Sequence, residues 1–126
     1  MSPADANRTF EALLSRLHDG IVRSDIETVM GCFHPTACIA DSLEGGLVTG
    51  LDEIRAYYLR QFAIVRVDAA LLSVLHLDAQ SADTLVQVTV RGADGGFWWE
   101  GQVRVAYQLS DGLIASIAVS ETSDQT

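Results

Sequence analysis

The chain has no lysine: its eight basic residues are all arginine, set against 17 Asp and Glu, for a formal net charge of −9. Nucleic acid demands a positive groove along its phosphates, so this balance excludes it as an expected partner. Only two cysteines are present. Cys32 and Cys38 lie six apart, outside CxxC or zinc-ligand spacing, and their apolar surroundings read as reduced core thiols. The three histidines and the acidic residues show neither an HxxxH pair nor a repeated carboxylate spacing, which leaves a metal site without support. Apolar runs stay short of the ~20 residues of a membrane span, and Met1 to Asn7 lacks the basic-then-apolar build of a secretory signal. The expectation is a soluble, cytoplasmic protein with no membrane contact, metal or cofactor. Repeats, linkers and low-complexity tracts are lacking too, so 126 residues that are 48% hydrophobic should form one domain, 1–126, around one core.

What is there begins with helical spacing. Phe10, Leu13, Leu14, Leu17 and Ile21 form an apolar stripe, predicting a core-packing helix from about Pro3 to Val22 that Gly20 interrupts near its end. Ser24-Asp25 followed by Glu27 reads as an N-cap and acidic first turn of a short helix over Ile26 to Phe33, ended by His34-Pro35. From Val67 the period changes to that of strands: a long apolar run to Leu77 with both faces expected to be covered, then Thr84 to Arg91, Phe97 to Leu109 and Leu113 to Ser120. Ala79 to Asp83, Gly92 to Gly96 and Ser110-Asp111-Gly112 are the intervening turns, and Glu121 to Thr126 reads as a fraying tail.

Between the two patterns lies the stretch Phe33 to Tyr58. It puts Asp41 at the end of the apolar strand Ala37-Cys38-Ile39-Ala40, where a carboxylate must be hydrogen-bonded, paired or used. Leu43 to Leu47, with Gly45-Gly46, reads as a hairpin returning through Val48-Thr49, and Leu51 to Phe62 as a helix with Asp52 and Glu53 in its first turn. Helices first and hairpin-connected strands after predict an α+β domain: a cone-shaped, curved antiparallel sheet wrapped around the N-terminal helices, with an internal pocket.

The order of these elements, and Asp25, Phe33, Ala37, Asp41, Gly50, Ile54, Arg55 and Tyr58 in ungapped register, resemble the nuclear-transport-factor-2-like superfamily, and within it the ketosteroid isomerases and SnoaL-like polyketide cyclases. The resemblance implies a cofactor-independent acid-base enzyme acting on a small hydrophobic carbonyl compound, with Asp41 as the base that takes a proton from carbon. The positions where the isomerases carry their two oxyanion donors hold Leu17 and fall near Val105. Loss of one such donor typically costs ~3 kcal/mol of transition-state stabilisation, so an already acidic substrate of the cyclase kind fits better than a steroid enone. In this reading Tyr57 and His76 stand beside Asp41 as catalytic candidates. Leu17, Tyr58, Trp99, Val105 and Tyr107 are the candidates for binding substrate.

Each candidate also has a structural reading. Asp41 would equally cap its turn, His76 would be a core or interface histidine, and Tyr57 and Tyr58 would pack in the core with their hydroxyls at its rim. His18 adjoins the apolar stripe, where a surface role is expected, though a pocket mouth is within reach; His34 should be solvated. Trp98 and Trp99 point to opposite faces of one strand. If Trp99, Val103, Val105 and Tyr107 face inward, then Trp98, Glu100, Gln102, Arg104 and Gln108 form an outer face suited to a homodimer. A register one residue different would bring Arg104 to Asp41 and favour epoxide hydrolysis. The alternative class is a dimeric domain of the same superfamily that binds a ligand, or only holds structure, without chemistry.

Overall fold

The computed structural model describes residues 3–41 and 45–121. Three helices, α1 (Pro3–Val22), α2 (Ile26–Met30) and α3 (Leu51–Ile64), accompany six strands: β1 (Phe33–Ala40), β2 (Leu47–Thr49), β3 (Val65–Leu77), β4 (Ser81–Gly92), β5 (Phe97–Ser110) and β6 (Leu113–Glu121). The strands form one curved, unclosed sheet in the order β2-β1-β6-β5-β4-β3. Its pairs are antiparallel except β1 with β6, which run parallel because the whole β2-to-β5 excursion lies between them. The core joins Phe10, Leu13, Leu14 and Leu17 of α1 and Ile54, Tyr57 and Tyr58 of α3 to Val86, Val103, Val105, Tyr107 and Ile114 of the sheet. This is the expected α+β cone.

Local differences from the sequence reading have physical causes. α1 runs on through Gly20. A Cβ there would lie 2.9 Å from Val29 Cγ2, so the glycine admits close packing of α2 rather than breaking the helix. α2 begins at the Asp25 cap, whose carboxylate accepts from the Thr28 amide at 3.3 Å and the Thr28 hydroxyl at 2.8 Å. It ends at Met30, not Phe33, and His34-Pro35 belongs to β1. Pro35 has no N–H for the ladder, and the pairing of β1 with β6 is irregular between Phe33 and Cys38.

The Gly45 and Gly46 positive φ values of 85° and 83° support the hairpin between β1 and β2, while the expectations for Leu43 and Glu44 fall outside the described residues. Asp111 and Gly112, with φ of 54° and 77°, make the two-residue turn between β5 and β6. Within the single chain the run from Val65 is covered on one face. Val65, Val67, Ala69 and Leu71 turn inward, whereas Arg66, Asp68, Ala70 and Leu72 are exposed. Two register shifts in β3, after Leu71 and after Val74, then reset which residues face out.

Candidate functional site

Leu17, His18 and Ile21 from α1, Tyr58 and Gln61 from α3, and inward residues of β3 to β6 enclose a cavity of about 460 Å³. Such a volume suits a small organic molecule. Alternation builds the wall: Trp99, Val103, Val105 and Tyr107 follow one another on the inner face of β5, opposite Val86, Val88 and Val90 of β4. Gly101 occupies the remaining inward position of β5. A Cβ there would sit 2.8 Å from Trp99 Cζ2, so the glycine lets the indole lie back along the strand. A second void of about 120 Å³, bounded by Ile39 and Ala40 of β1 and by Tyr57, shares Tyr58, Gln61 and Ile117 with the first.

The polar groups of this wall are few and protonation-specific. His18 makes no hydrogen bond among the described residues, and burial lowers its imidazole to about 4, so it is neutral at physiological pH. Tyr58 is buried, and its hydroxyl likewise has no partner among the described residues. Burial, then the proximity of Tyr57, Tyr107 and Cys32, pushes this phenol far above its ordinary value and holds it as a donor. Tyr107 is also raised by burial, offset in part by a hydrogen bond with Thr84, and its ring meets Phe10 edge-on at 5.6 Å. Gln61 Nε2 donates to the Tyr57 hydroxyl at 3.2 Å.

Of the residues singled out from the sequence, Leu17, Tyr58, Trp99, Val105 and Tyr107 line the main cavity. Tyr57 lines the smaller void. Asp41 lines neither. It follows Ala40 and shares the inner face of β1 with Ala37 and Ile39, its side chain only 10% exposed and 3.9 Å from the Arg60 guanidinium. Its amide donates to Gly46 O and its carbonyl accepts from Gly45 N, which closes the hairpin. His76 is on the outer face, hydrogen-bonded to Asp78 at 3.0 Å and clear of the cavity, because the two shifts in β3 set it opposite Asp83.

Arg104 faces outward and its Nε donates to both Asp83 oxygens at 3.0 Å; it does not meet Asp41. His34 bonds Thr36, and Cys32 is a buried thiol raised by desolvation. Among the described residues no three His, Cys, Asp or Glu side chains are grouped to hold a metal ion, and no helix is long and apolar enough to cross a membrane.

Sequence reasoning undervalued two lining residues. His18 follows Leu17 on α1, at the border of the apolar stripe, and the curvature of the sheet brings that border to the cavity. Gln61 repeats the Tyr57-Tyr58 face one turn on, a signal that helical spacing carries.

Comparison with known proteins agrees with this architecture. A structure of a candidate polyketide cyclase from Sinorhizobium meliloti is 21% identical, with a TM-score of 0.68 over 86% of this chain and 94% of that one. An NTF2-like protein of unknown function from Burkholderia pseudomallei gives 0.75 at 13% identity, covering 90% and 91% of the two chains. A Mycobacterium tuberculosis protein in complex with estradiol-17beta-hemisuccinate gives 0.75 at 16% identity, covering 90% and 93%. These likenesses show the fold. No curated protein matches the chain. The model of the SnoaL-like domain matches residues 14–117, from the buried stripe of α1 to the cavity wall of β6, and the chain belongs to that family.

Proposed function

We propose that the cavity binds a small, hydrophobic carbonyl compound in the cytoplasm and that the protein moves a proton on the carbon beside the carbonyl, without cofactor or metal. The observation that carries this reading is the Tyr58 hydroxyl: a protonated donor with no partner among the described residues, on the wall of a mostly apolar cavity. No buried side-chain N or O among the described residues lacks a partner, so this hydroxyl opens onto the cavity, where a ligand carbonyl oxygen can accept from it. The cyclase candidate and the steroid-bound relative point to the same ligand class.

Asp41 is the proposed base. Asp41, whose carboxylate is nearly buried, follows Ala40 of the smaller void's wall, so a ligand reaching from Tyr58 into that void brings its acidic carbon toward this end of β1. The carboxylate takes the proton, the C–H pair forms the enolate C=C, and the charge placed on oxygen is met by the Tyr58 O–H. The resemblance sets Leu17, and a position near Val105, where the isomerase-type donors would be, so in this reading one phenol must suffice and the substrate must be an activated carbon acid.

The test is hydrogen exchange of 2-tetralone in D2O followed by NMR. Wild type should accelerate exchange at the activated carbon, and Asp41→Asn should lose ~10²–10⁴-fold of that rate while keeping fold and affinity. Full exchange activity in Asp41→Asn would remove Asp41 from the role. The contacts of Asp41 with Arg60 and the hairpin backbone favour a second reading, ligand binding without chemistry. Binding of 2-tetralone with no acceleration by wild type would establish that one.

We also infer a homodimer through the outer face of the sheet. Phe97, paired with the outward Arg91, is 63% exposed there, and Leu72 is exposed on β3, whereas a bulge at Trp98 lays its indole against Gly92 and breaks the expected alternation of Trp98 and Trp99. Sedimentation at micromolar concentration should give twice the chain mass of 13.6 kDa, and Phe97→Glu should halve it; a wild-type monomer contradicts the inference.

A further inference from the structure

The cavity and the smaller void meet at α3, and Gln61 borders both. Its Nε2 donates to the Tyr57 hydroxyl at 3.2 Å, a contact that falls naturally between residues four apart on one helix face. The amide is planar, so the bond that turns Nε2 toward Tyr57 turns Oε1 away from it. That oxygen has no hydrogen-bond partner among the described residues, and no buried side-chain N or O among them is left unpaired. Oε1 therefore lies open, on a half-buried side chain whose neighbouring spaces are the cavity and the void. The sheet offers nothing equivalent: β3, β4 and β6 line the cavity with aliphatic side chains alone, and the Tyr107 hydroxyl of β5 is engaged with Thr84. On α3 the open polar groups come in a fixed order. Tyr58 presents a donor, and Gln61, three residues on and about 5–6 Å away between Cβ atoms, presents an acceptor.

We propose that Gln61 determines specificity, latched by Tyr57 so that its amide oxygen meets the ligand, and that the ligand carries a hydroxyl or other hydrogen-bond donor within reach of the carbonyl held by Tyr58. The proposal rests on the ligand class argued above and adds its second polar group. A hydroxyl that donates to Oε1 regains the bond it loses on leaving water, whereas an ether oxygen at the same place would set acceptor against acceptor. Sites built around such a bond reject analogues that lack the matching group, because the protein atom is then left dry.

The test is calorimetric titration with 2-tetralones carrying hydroxyl, methyl or methoxy at each aromatic position in turn. Each variant is read as the ratio of its own affinities, so that a uniform loss cancels. In wild type one hydroxyl isomer should bind about tenfold tighter than the methyl compound of the same position, and its methoxy counterpart more weakly than either. Gln61→Met keeps the length and helix propensity of the side chain without the amide, and should abolish the hydroxyl preference. Tyr57→Phe releases the latch and lets the amide turn Nε2 to the ligand, so the methoxy probe should recover about fivefold relative to the hydroxyl one. Three results overturn the proposal: no hydroxyl isomer favoured in wild type, a preference that survives Gln61→Met and so belongs to His18, or a methoxy ratio unmoved by Tyr57→Phe. Failure of wild type to bind 2-tetralone itself overturns the cavity reading, and the role of Gln61 with it.

Discussion

On the inner face of the sheet, His18 and Tyr58 border an apolar cavity with no hydrogen-bond partner among the described residues, whereas polar side chains of the outer face are paired with one another. Outside, Arg104 bonds Asp83, Gln87 bonds Glu100 and His76 bonds Asp78. The two histidines make the contrast sharp. His76 is exposed and hydrogen-bonded; His18 is largely desolvated, neutral and without a partner among the described residues. Spare hydrogen-bonding capacity that opens onto an apolar cavity is the sign of a ligand site, because a few polar groups there orient what the apolar wall binds.

The comparison can be broken most strongly at Asp41, where the exchange rate is expected to fall by ~10²–10⁴-fold. Next in size is the pH response of His18. Its folded value of about 4 lies below the ordinary 6.5, so the unfolded chain takes the proton first as pH falls. The contribution of the neutral imidazole to stability is therefore complete above pH 6.5 and is lost as pH falls from 6.5 to 4, by up to about 3 kcal/mol. Urea titrations of wild type and His18→Leu across that window should show a steeper loss in wild type; parallel curves would mean that His18 is solvated after all. The smallest effect belongs to the outer face. Arg104→Ala removes an exposed pair with Asp83 and should cost less than ~1 kcal/mol, with no change in the affinity for 2-tetralone. A changed affinity would show that the two faces are coupled.

Much of this division was legible in the sequence. The alternation Trp99, Val103, Val105, Tyr107 against Glu100, Gln102, Arg104, Gln108 separates cavity from outer face without reference to any relative. The α1 stripe and the Gly45-Gly46 hairpin were equally plain, since each follows from spacing or from backbone conformation. What was not legible depends on register. His76 and Val74 both belong to the apolar run of β3, and only the two shifts against β4 decide that one turns out and the other in. The placement of His18 depends on how far the sheet curls over α1, a tertiary property that helical periodicity does not carry. Pro35 in β1 escaped for a related reason: a proline reads as a helix stop, yet an irregular stretch of ladder admits it.

The central claim is that the Tyr58 hydroxyl waits for a ligand carbonyl, and infrared difference spectroscopy of 2-tetralone labelled with 13C at the carbonyl tests it most directly. In wild type the bound C=O band should lie at lower frequency than in an apolar solvent, as a donated hydrogen bond requires. In Tyr58→Phe it should return toward the apolar value, with affinity reduced roughly tenfold, the worth of one buried hydrogen bond. The same carbonyl frequency in wild type and Tyr58→Phe would contradict the account.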